Sequence, residues 1–132
     1  MFKYLSAIAI ISLILISLGC GSSDSHKHKT EKKKINALID SAIVLIDNED
    51  FDGLIRLVAS PEDKEIMQFE GSWEKVVRRY SLFRKEVRAS LEECYTMEPV
   101  FNADSSQATY KVTNLPTDFI FKRVDGVWYL GN

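Results

Sequence analysis

Two thiols, two imidazoles and a scatter of tyrosines and acids are the groups on this 132-residue chain able to move protons, attack carbon or hold a metal. General acid-base work needs a titratable side chain set in a pocket that shifts its pKa. The eligible residues are Tyr80, Glu93, Tyr95, Glu98, Asp104 and Tyr110, and they fall into no recognisable catalytic spacing. Cys94 has no His in its own half of the chain to draw off its proton, so a quiet buried thiol is expected. His26 and His28 form a His-x-His pair, two ligands short of a closed tetrahedral shell. There is no Gly-rich phosphate loop, no Cys/His cluster of metal spacing and no Ser-His-Asp set, so no catalytic residue, metal or cofactor is expected.

The remaining thiol, Cys20, sits in a more telling context. Lys3 precedes an apolar run over 5–18, interrupted by Ser6, Ser12 and Ser17, which is the layout of a signal peptide. As helix the run reaches roughly 21 Å, short of the roughly 30 Å hydrocarbon core that a permanent span must cross. The run ends in Leu18-Gly19-Cys20-Gly21-Ser22-Ser23, a small residue before a Cys and polar residues after it. This resembles the lipobox of bacterial lipoproteins, with Ser17 where a Leu is usual. The resemblance implies cleavage before Cys20 and acylation of its thiol. Two or three acyl chains, at about 0.8 kcal/mol per buried methylene, would then hold the protein on a membrane without spanning it. It also implies a place in the cell envelope, on the periplasmic or outer-membrane side; Gly21, where an inner-membrane-retained lipoprotein carries Asp, leans to the outer membrane.

Residues 21–34 read GSSDSHKHKTEKKK and offer nothing apolar to bury, so a mobile spacer is expected between Cys20 and a domain over 35–132. Charge divides at the same place. Residues 1–34 carry six Lys against two acids, and residues 35–132 carry eleven Lys and Arg against seventeen acids. An acidic domain repels phosphate backbones, which argues against nucleic acid as a partner.

Stepping along the domain, Ile35, Leu38, Ile39, Ala42, Ile43 and Ile46 recur at three and four residues and predict a helix to about 47. A short second helix follows over about 51–59. Ser60-Pro61-Glu62-Asp63 then combines a cap, a first-turn proline and two acids, and starts a third over 61–69. Trp73, Val76, Val77, Tyr80, Phe83, Val87 and Leu91 mark one long fourth helix, whose other face carries Lys75, Arg78, Arg79, Arg84, Lys85 and Arg88. Glu74 and Glu86 are placed to pair with some of these. From about residue 95 the period becomes two. Strands are expected around 95–101, 108–112, 119–124 and 127–130, the last two joined by Asp125-Gly126. Helices first and an antiparallel meander last describe an α+β fold with the helices on one face of a curved sheet.

The order of these parts, the Trp73-led helix and the closing Phe121-Lys-Arg-Val-Asp-Gly-Val-Trp-Tyr-Leu130 resemble the nuclear transport factor 2-like superfamily, over residues 35–132. The resemblance implies a bent sheet wrapped as a cone around an apolar pocket, with Tyr80, Tyr95, Tyr110 and Trp128 as its candidate lining, and in many members a homodimer. The superfamily's ketosteroid isomerase branch uses an Asp base with Tyr and protonated Asp donors, a trio with no counterpart here. The expected role is therefore a membrane-anchored lipoprotein that binds a small apolar ligand or a protein partner. An isomerase- or dehydratase-type enzyme and a dimerising structural accessory are the alternatives.

Overall fold

In a computed structural model the backbone is described for residues 2–131 and the side chains for 25–131. The signal segment and Cys20 lie outside the residues whose side chains are described. The chain divides into two compact units, Met1–Glu31 and Lys32–Asn132. Helix α1 (Phe2–Asp47) contributes residues to each. The stretch expected as a spacer is helical over 25–34. Lys and Glu are good helix formers, and the Thr30 hydroxyl donates to the His26 carbonyl one turn earlier. Among the described residues no helix is long and apolar enough to cross a membrane.

The second unit is α+β: helices packed against a four-stranded antiparallel sheet in the order β1-β2-β3-β4. From α1 it buries Ile35, Ile39, Ala42 and Ile46, the face read from the spacing of these residues. Helix α2 (Phe51–Val58) starts where the Asp50 carboxylate accepts the Gly53 amide at 2.9 Å and buries Phe51, Leu54, Ile55 and Val58. A Cβ on Gly53 would stand 2.4 Å from Asp50 Oδ2, so a larger residue there would make the capping side chain shift. Helix α3 (Pro61–Phe69) begins as expected, with Ser60 Oγ accepting the Asp63 amide. It ends before Gly71, whose φ of +66° is the left-handed conformation that closes a helix.

The long fourth helix is in fact two, α4 (Trp73–Leu82) and α5 (Arg84–Thr96), separated at Phe83 with φ −102° and ψ 22°. The Arg84 guanidinium donates to the Ser81 carbonyl at the break, satisfying an acceptor that the interrupted ladder leaves open. The interruption lets the two halves serve different surroundings. No residue of α4 is fully buried, whereas α5 buries Val87, Ser90, Leu91 and Cys94. Those four recur at three, one and three residues. That helical period overrides the two-residue alternation read at Tyr95 and Met97, and the strand expected there shrinks to β1 (Val100–Phe101).

β2 (Gln107–Tyr110), β3 (Phe119–Val124) and β4 (Val127–Gly131) complete the meander. Ala108 faces Phe121 and Tyr110 faces Phe119 across β2 and β3, so one side of the sheet is a buried aromatic surface. Tyr110 meets Phe121 edge-on at 5.6 Å, and Phe119 stacks beside Phe121 at 6.1 Å. Asp125 and Gly126 both have positive φ, 51° and 79°, as a two-residue type I′ hairpin demands. This aromatic face, covered by α1, α2 and α5, is the core; α3 and α4 bury no residue fully, and α4 packs against the core through Val77 and Tyr80.

Candidate functional site

Because α3 and α4 cover the rest incompletely, a cavity of about 420 Å³ remains between them, α2, α5 and the sheet. Ile55 and Val58 of α2 with its cap residue Ala59, Val87 of α5, and Phe119 and Leu130 of the sheet form its inner wall. Ile66 and Met67 of α3 and Val76 and Phe83 around α4 complete the apolar lining. Polar groups are few and include Asp63, Arg79, Thr117, Asp118 and the phenol of Tyr80. A concave, mostly apolar cavity of this size with a few polar groups is the usual form of a small-molecule site.

The sequence singled out four aromatic residues for such a lining, and the structure brings one of them there. Tyr80 lines the cavity, half-buried, and burial pushes its pKa up. Tyr110 is fully buried in the core beside Phe121, and its hydroxyl has no partner; burial raises its pKa too. The Tyr95 hydroxyl donates to the Asp40 carboxylate and to the Asn36 carbonyl, fastening α5 to α1. The Asp40 bond, more than burial, pushes the Tyr95 phenol up to about 12. Trp128 is buried edge-on to Phe101 at 6.3 Å, with Arg123 over its ring.

The other acid-base candidates hold structure together outside this lining. Glu93 accepts from the Thr113 amide and hydroxyl and from Asn114, Glu98 pairs with Lys32 at 2.9 Å, and Asp104 accepts from Ser106. Cys94 is a fully buried free thiol; burial, with the nearby Glu93 charge second, pushes it up to about 12. Around His26 and His28, as everywhere among the described residues, no group of three or more metal-ligating side chains occurs.

Of the lining residues only Tyr80 is a site candidate from the sequence; the charged ones, Asp63, Arg79 and Asp118, are not among those candidates. Asp63 is a helix-start acid and Arg79 part of the basic face of α4, and neither role signals that a cavity opens beside them. Of that basic face, Arg88 is engaged by Asp47 and Glu92. Lys75, Arg78, Arg79 and Lys85 are exposed and carry no ion pair, and the pairing expected from Glu74 and Glu86 is not formed. Comparison of the chain with protein-family models, with curated proteins and with solved structures gave no match.

Proposed function

We propose that this chain is a cell-envelope lipoprotein, held on a bacterial membrane through an acylated Cys20, whose α+β domain binds a small apolar ligand without transforming it. The observation that carries the reading is the cavity between α2, α3, α4, α5 and the sheet, walled by Ile55, Val58, Val76, Val87, Phe119 and Leu130. Closing such walls over an apolar molecule gains about 25 cal/mol for each Å² of apolar surface taken from water. Helices followed by an antiparallel meander are also the order that a nuclear transport factor 2-like cone needs, which supports that family reading of the domain.

An isomerase- or dehydratase-type enzyme is the second reading, because Asp63 and Asp118 share the lining with Tyr80. An acid-base catalyst works shielded from water, and here Asp118 is exposed and Asp63 half-buried. Binding is the better-supported role.

The test is titration of the purified full chain with an environment-sensitive apolar fluorophore, beside a variant in which Ala59→Trp fills the cavity from its buried wall. Saturable binding that the variant loses while keeping its circular dichroism supports the reading; equal binding by both proteins refutes it. Intact mass of the chain extracted from bacterial membranes reports the other half. Loss of residues 1–19 and a diacylglycerol increment on Cys20 are expected, and a full-length unmodified mass rules the anchor out.

A further inference from the structure

We infer that the rim of this cavity on α3 and α4 is a membrane-contact surface that sets the cavity mouth against an anionic lipid bilayer, so that the ligand class is the acyl chain of a membrane lipid. The inference rests on the proposed apolar-ligand reading and adds where the ligand comes from. Four large apolar side chains stand exposed on α3, at the end of α4 and at the break after it: Ile66 at 46%, Phe69 at 92%, Leu82 at 71% and Phe83 at 50%. Ile66 and Phe83 line the cavity as well, so they stand where lining becomes outer surface. Phe69 lies one turn beyond Ile66 on α3, and Leu82 directly precedes Phe83. Water around such a cluster is unfavourable, and clusters of this kind mark contact sites rather than ordinary surface.

Charge decides what it contacts. Lys75, Arg78, Arg79 and Lys85 are exposed without an ion pair. On an ideal helix Lys75, Arg78, Arg79 and Leu82 share one side, at three- and four-residue spacings. Apolar side chains edged by free cations match an interface in which acyl chains lie beneath anionic headgroups. Glu62, Asp63 and Glu65 of α3, Glu70 at its cap, Asp118 of the lining, and Glu74 and Glu86 beside the cations oppose that field. α4 still carries Lys75, Arg78 and Arg79 against Glu74 alone, so the cationic contact belongs to it, with Lys85 beyond the break, while α3 contributes Ile66 and Phe69.

Because an anchored chain is on the membrane whatever this surface does, the test must read the rim itself. The full chain with its own indoles replaced (Trp73→Phe and Trp128→Phe) and carrying Phe69→Trp or Leu82→Trp is reconstituted in vesicles of phosphatidylcholine with roughly one third phosphatidylglycerol, with brominated or plain acyl chains. Val100→Trp is the control, since Val100 is 66% exposed on the edge strand β1. Brominated lipid should quench the indoles at 69 and 82 by roughly half and leave that at 100 little changed. Each cation at an anionic surface is worth roughly fivefold in occupancy, so Lys75→Gln, Arg78→Gln and Arg79→Gln together should abolish the quenching. No quenching at 69 and 82, or equal quenching at all three positions, overturns the inference. So does a blue shift at 69 that grows with protein concentration without lipid, which assigns the face to a second copy of the chain. If the fluorophore still fills the cavity while the rim stays unquenched, the ligand-binding reading stands and the membrane source fails.

Discussion

Glu93 of α5 holds Thr113, twenty residues later, from both ends: the Thr113 amide lies 3.0 Å from each carboxylate oxygen and its hydroxyl lies 2.7 Å from one of them. Asn114 adds a third donor group at 3.1 Å. These donors favour the ionised carboxylate and hold its pKa below the ordinary range, the Thr113 side chain contributing most. The clamp fixes the start of the connection between β2 and β3, and Leu115, Thr117 and Asp118 of that connection line the cavity. Glu93→Gln keeps the shape and removes the charge, so the Thr113 amide should exchange with solvent roughly tenfold faster. Unchanged exchange in that variant would show that the carboxylate does not fix this loop.

The same bond makes stability depend on acid. Arg88 holds Asp47 below the ordinary carboxylate range, Arg56 and then Trp73 do so for Asp52, and Ser106 does so for Asp104. With folded pKa values depressed, the unfolded chain binds more protons in acid, so stability rises with pH there. The contribution is complete above the unfolded values, about pH 4, and is lost as pH falls through the lower folded ones. The melting temperature should therefore hold steady from about pH 7 to 5 and decline below about 4. These groups are exposed, so added salt should shrink the decline. A melting temperature that rises on acidification contradicts the assignment.

Tyr110 offers a prediction of opposite sense, a truncation that stabilises. Its ring is completely buried, yet its hydroxyl has no partner in the core. An unsatisfied buried polar group costs about 1–3 kcal/mol, and removing it without changing shape lifts that cost. Tyr110→Phe should keep the edge-on contact with Phe121 and unfold at higher denaturant concentration, by about 1 kcal/mol. A loss of that size instead would mean that the hydroxyl is satisfied, for example by a buried water shared with Ser90, whose Oγ is also buried and unpartnered.

Elements whose signals are local were legible in the sequence. Ser60-Pro61 and Asp125-Gly126 act within four residues, and both appear where expected. The break at Phe83 was not legible, because neither Pro nor Gly marks it and its benefit lies in letting α4 and α5 meet different surroundings. The segment around Tyr95 and Met97 was misread because a few apolar residues fit both periods; Val87, Ser90, Leu91 and Cys94 decide it only once Ser90 and Cys94 count as core. The cavity was the least legible part. It exists where α3 and α4 fail to fill space, and a shortage of packing leaves no motif among the residues around it.

Cys94 makes the test of core order most direct. Its thiol is fully buried on α5 and held mainly by desolvation at about 12. Thiolate is the reactive form, so at pH 8 the folded protein should leave a disulfide reagent nearly untouched. With Cys20→Ala removing the other thiol, labelling should run at the rate at which the domain opens and should accelerate with denaturant along the unfolding limb. Linkage adds a second reading. A thiol whose folded pKa is raised contributes stability below its unfolded value, about 8.5, and loses it as pH climbs towards the folded one. The buried phenol of Tyr110 acts in the same direction. Denaturant midpoints of the Cys20→Ala chain should therefore fall above about pH 9, and Cys94→Ala should make that fall shallower. Rapid labelling of the native domain at pH 8 would place Cys94 at a surface, and the packing of α5 against the aromatic face of the sheet would then need another arrangement.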